Sequence, residues 1–120
     1  MSLKFEMEQM PGYLAAKFIG SGVAEDVWGQ FELIAEECKR TKNNELLIDT
    51  TEVEGEISDV ERFQFAERME IFARYRIKVA LACKREHIHP QGLAMLLAQM
   101  RGVDGEIFTD SRDAEVWLLN

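Results

Sequence analysis

A chain of 120 residues, 47% hydrophobic and 30% charged, has the composition of one globular domain spanning residues 1–120, long enough to bury roughly two-thirds of its unfolded surface. Its 14 basic residues stand against 22 acidic ones, a net charge of −8. That balance excludes the basic footprint needed to bind nucleic acid or an anionic membrane surface.

The elements follow in chain order. Leu3, Phe5 and Met7 alternate with Lys4, Glu6 and Glu8, which predicts a strand with one wet face. Pro11-Gly12 is a turn signal, and Tyr13 to Ile19 is its hairpin partner. Ala24 to Arg40 reads as one helix, with Val27, Phe31, Ile34 and Cys38 on a stripe that Trp28 and Ala35 widen. Leu46-Leu47-Ile48 is the core of a third strand, ending in Asp49-Thr50-Thr51. Ser58-Asp59-Val60-Glu61 is a capping box that opens a helix running to about Tyr75, with Phe65, Met69 and Phe72 inward and Phe63 and Ala66 beside them. Ile77 to Ala82 is apolar everywhere except Lys78, which predicts a central strand covered on both faces. Pro90 suits the first turn of a third helix, LAMLLAQM, which Gly102 ends. Ile107-Phe108 is a short fifth strand. Asp110 or Thr109 then caps a last helix that buries Ala114, Trp117 and Leu118.

The expected architecture is α/β: a single mixed, mostly parallel five-stranded sheet with four helices, in the order β-β-α-β-α-β-α-β-α. Right-handed crossovers make the last four strands parallel and leave the first antiparallel at the edge. The two cysteines, Cys38 and Cys83, fall in apolar segments, as buried thiols do in a reducing compartment. The opening MSLKFEMEQM alternates and is no signal peptide. The longest apolar run, LAMLLA, is far too short to insert in a membrane. A cytoplasmic protein is expected.

This order of elements resembles the STAS domain family (sulphate transporter and anti-sigma-factor antagonist), and its SpoIIAA-like branch in particular. The residues that carry the resemblance are Leu46-Leu47-Ile48-Asp49, Ile77 to Leu81, and the closing Glu106-Ile107-Phe108-Thr109-Asp110 with Ala114 and Trp117-Leu118. The resemblance implies a bacterial, non-enzymatic domain that works by docking to protein partners, with no cofactor. It also implies a phospho-switch position at the start of the helix after the third strand, here Ser58. The family's usual Asp-Ser-Ser-Gly is absent, however, and Asp59 follows Ser58. A related ligand-holding fold, of CRAL-TRIO type, gives a second expectation: a module for a small anionic or lipid-like molecule.

Three further groups of residues stand out. Ser58 is explained structurally as an N-cap. Lys84, Arg85, His87 and His89 concentrate positive charge after a parallel strand and before a helix, where open α/β sheets bind ligands and anions. His87 and His89 alternate as metal ligands can, but no third ligand lies near in sequence, so no metal is assigned. The helix LAMLLAQM is apolar nearly all round. Its expected buried stripe is Leu93, Leu96, Leu97 and Met100, with Met95 turned sideways. Leu93, Met95 and Leu96 are therefore candidates for a homodimer or partner contact. No catalytic constellation is visible.

Overall fold

The computed structural model describes residues 3–120; Met1 and Ser2 of the alternating start lie outside them. Five strands form one sheet in the spatial order β1-β2-β3-β4-β5: β1 (Leu3–Met10), β2 (Tyr13–Ser21), β3 (Glu45–Glu54), β4 (Lys78–Cys83) and β5 (Asp104–Phe108). β1 pairs antiparallel with β2 through the tight turn at Pro11-Gly12, where Gly12 takes φ +89°. The other neighbours are all parallel. β4 is flanked by β3 and β5, as its unbroken apolar run requires.

Every crossover steps the same way along the sheet, so right-handedness puts the intervening helices on one face. These are α1 (Ala24–Trp28), α2 (Phe31–Arg40), α3 (Asp59–Arg74) and α4 (Leu93–Met100). The main core lies under them and includes Phe18, Phe31, Ile34, Leu46, Ile48, Met69, Phe72 and Val79. The last helix, α5 (Ser111–Leu118), covers the opposite face. There Ala114 and Leu118 meet Tyr13, Leu47, Ala80 and Ala82. Alanine at two successive outward positions of β4 leaves room for the helix to approach closely.

Four expectations are corrected. The helix over Ala24 to Arg40 is two helices, parted at Gly29-Gln30, where the backbone tightens and the Gln30 N–H donates to the Val27 carbonyl at 3.1 Å. Both halves still bury the expected stripe. Pro90 stands outside α4, which begins at Leu93 behind Gly92 in a left-handed conformation. The face of α4 is also turned. Met95 and Ala98 are buried, Leu97 and Leu93 are half-buried, and Leu96 and Met100 are exposed. The cause is Gly105 on β5. A Cβ there would lie 3.1 Å from the Met95 sulfur, so the missing side chain is the space that Met95 fills. The Gln99 amide, on the same helix, donates to the Gly105 carbonyl at 2.9 Å and holds α4 against this edge strand. Phe63, expected beside the core, is half exposed.

Candidate functional site

The parallel strands end in a cavity of about 70 Å³. Thr50 and Val53 of β3 and Leu81 and Cys83 of β4 form its floor. Val27 and Trp28 of α1 and Arg62 and Phe65 of α3 form its walls, and residues Glu54 to Ile57 form its rim. The lining is mainly apolar, and the position outside the carboxyl ends of the strands is where open α/β sheets hold ligands.

Local sequence places each wall. Asp26 accepts from the Val23 N–H at 3.2 Å, which starts α1 and sets Trp28 one turn later against Phe65, with ring centroids 5.1 Å apart. The capping box that starts α3 sets Arg62 one turn inside it. The Ser58 hydroxyl accepts from the Glu61 N–H at 3.2 Å, and the Glu61 carboxylate accepts from the Ser58 N–H at 2.8 Å. Arg62 then runs inward. Its Nη1 meets Asp59 at 3.0 Å and its Nη2 donates to the His87 carbonyl at 3.2 Å.

Two donors on residues of this cavity's wall are unsatisfied. Trp28 is 6% exposed and the Arg62 side chain 13% exposed. Neither the Trp28 Nε1–H nor the Arg62 Nε–H has an acceptor among the described residues. A buried N–H without a partner costs on the order of 1–3 kcal/mol, and such groups are few in folded proteins. Here both belong to residues that line one cavity, with the two nitrogens themselves closed off from solvent.

The basic loop lies beside the cavity. His87 alone of its four residues is part of the lining. Lys84 pairs with Glu54 at 2.7 Å; that hydrogen bond raises the ammonium's pKa and lowers the carboxylate's. The His87 Nε2 lies 2.6 Å from the Gly55 carbonyl, and the His89 Nδ1 accepts from the Gln91 N–H at 3.1 Å. Arg85 is exposed in a short 3-10 turn, Arg85–His87. The loop therefore spends Lys84 and His87 on latching the rim of the cavity. The expectation of Met95 as a contact residue is corrected, since Met95 is 3% exposed; Leu93 is half-buried, and Leu96 is 50% exposed. Ser58 is exposed at the N-cap, with Glu56, Asp59 and Glu61 around it in sequence. Among the described residues, no group of three or more His, Cys, Asp or Glu side chains could hold a metal ion, and no helix is long and apolar enough to cross a membrane.

The cavity was missed in the sequence, although Trp28 carried a signal, a polar atom on a residue of the buried stripe, and Arg62 stands three residues before the inward Phe65.

No protein-family model matches the sequence, and no curated protein matches it. Solved structures do match. An anti-sigma factor antagonist from Mycobacterium paratuberculosis superposes with a TM-score of 0.68 at 14% identity, over 99% of this chain and 96% of that one. An uncharacterised protein with a SpoIIAA-like fold from Shewanella loihica PV-4 superposes with a TM-score of 0.54 at 24% identity, over 97% and 93%. Such identities speak for the fold. With a parallel sheet in the order β2-β3-β4-β5, a hairpin strand at its edge and a last helix on the opposite face, the chain has the SpoIIAA-like, STAS-type fold.

Proposed function

We propose that the chain is a non-enzymatic regulatory domain of the bacterial cytoplasm that works by docking a protein partner through the outer surface of α3 and α4. One observation carries this reading. Val60 and Phe63 on α3, and Leu96 and Met100 on the adjacent α4, are 50% to 76% exposed, although the protein is strongly acidic. Val60 and Phe63 are three residues apart and Leu96 and Met100 four, so each pair shares one helix face. Apolar side chains grouped on the outside of packed helices mark interaction surfaces. The likeness in fold to an anti-sigma factor antagonist supports a role in protein docking.

The test is a paired variant, Phe63→Glu with Leu96→Glu. Both positions are exposed, so the circular-dichroism melt should match the wild type. Sedimentation of the purified protein would reveal a homodimer, and capture from the native cytoplasm a different partner. The charged variant should lose the dimer or the captured protein. If it keeps the same mass and the same captured proteins, the surface is not the docking site.

A second reading, a small-ligand module, is favoured by the mainly apolar cavity at the ends of the parallel strands. It places the ligand under α1 and α3, beside the loop Lys84 to His89.

A further inference from the structure

From the outer edge of β1 we infer that this protein pairs with a second copy of itself, β1 against β1, antiparallel and centred on Phe5, so that two sheets join into one. The contact lies at the opposite edge of the sheet from β5, where α4 packs, and it leaves the outer surface of α3 and α4 open.

The edge is bare and regular. β1 is the terminal strand of the sheet, and its eight residues pair with β2 without a bulge. Among the described residues, no backbone group of β1 bonds to backbone outside its hairpin with β2. The outward N–H and C=O groups of such a strand are a template for another strand. The Gln9 amide donates to the Met10 carbonyl at 2.9 Å and to the Asn43 side chain at 3.2 Å, which occupies the far end and leaves residues 3–8 open. The other edge strand, β5, has five residues, and its Gly105 carbonyl already accepts from Gln99.

The side chains select the occupant. Leu3, Phe5 and Met7 are half-buried against the main core, with Phe5 stacked on Phe18 at 4.7 Å between centroids. On the other face Lys4, Glu6 and Glu8 are exposed. Lys4 and Glu6 have no ion-pair partner among the described residues, since Lys17 is held by Glu52 at 2.6 Å. A twofold antiparallel pairing keeps apolar face beside apolar face only when it is centred on a residue. Centred on Lys4, it sets lysine against lysine. Centred on Glu6, it sets glutamate against glutamate. Centred on Met7, it sets Glu6 against Glu8 twice. Centred on Phe5, it sets Lys4 against Glu6 twice, Leu3 against Met7 twice, and Phe5 against its own copy. That register has two opposite-charge pairs, an aromatic pair and no like charges directly opposed. A purely cationic or anionic strand would satisfy Glu6 or Lys4 alone, whereas a second copy satisfies both.

The experiment is sedimentation equilibrium of the full chain and its charge variants. The wild type should show a concentration-dependent dimer. Lys4→Glu and Glu6→Lys each set like charges across the contact and should weaken it about tenfold or more, the effect of two lost cross-strand pairs. One variant makes the chain more acidic and the other less, so a loss in both is not a net-charge effect. Mixed one to one, the two variants should pair again, because the acidic edge of one then faces the basic edge of the other. Glu8→Lys, outside the directly opposed pairs, should dimerise nearly as the wild type does. Circular-dichroism melts check that the variants fold. Glu6 faces Lys17 on β2, whereas Lys4 faces Ile19; if Glu6→Lys lowers the melt, Lys4→Glu still decides, and its dimerising like the wild type would overturn the inference. A wild type that stays monomeric at millimolar concentration would overturn it too, as would a mixture that does not pair or a Glu8→Lys variant that dissociates as Lys4→Glu does. A dimer whose concentration-dependent amide shifts fall on α3 and α4, and not on residues 3–8, would overturn it in favour of the docking surface on those helices.

Discussion

Ser58 caps the start of α3, and its geometry predicts the effect of changing it. Its hydroxyl accepts from the Glu61 N–H at 3.2 Å and donates to the Glu61 carboxylate at 3.0 Å. Ser58→Ala removes both contacts and leaves the Glu61 N–H free, while the reverse bond from the Ser58 N–H to Glu61, 2.8 Å, survives. The site is exposed, so water replaces part of what is lost, and α3 stays anchored by Phe65, Ala66, Met69 and Phe72. The cost is that of a single N-cap, about 1 kcal/mol. For a domain of this size that lowers the thermal midpoint by about 3–6 °C. Ser58→Asp supplies an equally good capping oxygen, but sets a carboxylate against Glu61 where the hydroxyl had donated. Its midpoint should fall at or below the wild type's. A phosphate, carrying about −1.5 to −2 charges, would meet Glu56, Asp59 and Glu61 and should destabilise the start of α3 further. Thermal melts by circular dichroism measure all three. An unchanged midpoint for Ser58→Ala, or a raised one for Ser58→Asp, would refute the capping account.

Other outcomes follow from burial and charge. Met95→Glu, which puts an unpaired carboxylate where the side chain is 3% exposed, should cost several kcal/mol and unfold α4 or the protein in urea titrations, whereas Leu96→Glu should melt like the wild type. Lys78 donates to the Trp117 and Leu118 carbonyls at 3.0 and 3.3 Å and lies 4.4 Å from the centre of the Trp117 ring; Lys78→Met keeps the stem but loses the cation at the end of α5, and should cost about 1–2 kcal/mol in the same titrations. Burial pushes the Cys38 and Cys83 thiols up to about 12. Both should resist a thiol reagent near pH 8 until the protein is unfolded, and a reaction with the native protein would contradict their placement.

Much of the fold was legible because its signals are local or periodic. The alternation at Leu3 to Glu8 describes a strand with one face in water, and β1 is that edge strand. The apolar run before Cys83 has no polar face to give to water, and β4 has a strand on either side. The capping box at Ser58 fixes the start of α3 without reference to anything distant. Errors arose where periodicity is ambiguous. LAMLLA is apolar all round, so its pattern could not choose a face; the choice was made by Gly105, seven residues beyond the end of that run on another element. Phe63 follows the same logic. An aromatic residue predicts burial on average, but the capping box and the inward turn of Phe65 and Ala66 fix the helix so that Phe63 faces out.

The candidate site was hidden for a related reason. Charge in a sequence draws attention to Lys84, Arg85, His87 and His89, yet an ionised group commonly finds a partner, and Lys84 has Glu54. The informative groups are those left without one, and that depends on geometry. Trp28 and Arg62 are thirty-four residues apart, on helices that flank the same cavity. Nothing in either segment alone says that the Trp28 N–H will find no carbonyl, or that Asp59 and the His87 carbonyl will satisfy two nitrogens of Arg62 and leave the third free. The cavity also uses the sequence's most local feature, since the Ser58 capping box fixes the phase in which α3 turns Arg62 toward the strand ends. A change at Ser58 that frays the first turn of α3 should therefore loosen the bond from Arg62 to the His87 carbonyl, and with it the contact between α3 and the loop around His87. Proton–nitrogen spectra of Ser58→Ala would test this link. Shifts are expected in the amides of residues 84–88 as well as 58–62. Shifts confined to residues 58–62 would mean that Arg62 holds its place without the cap.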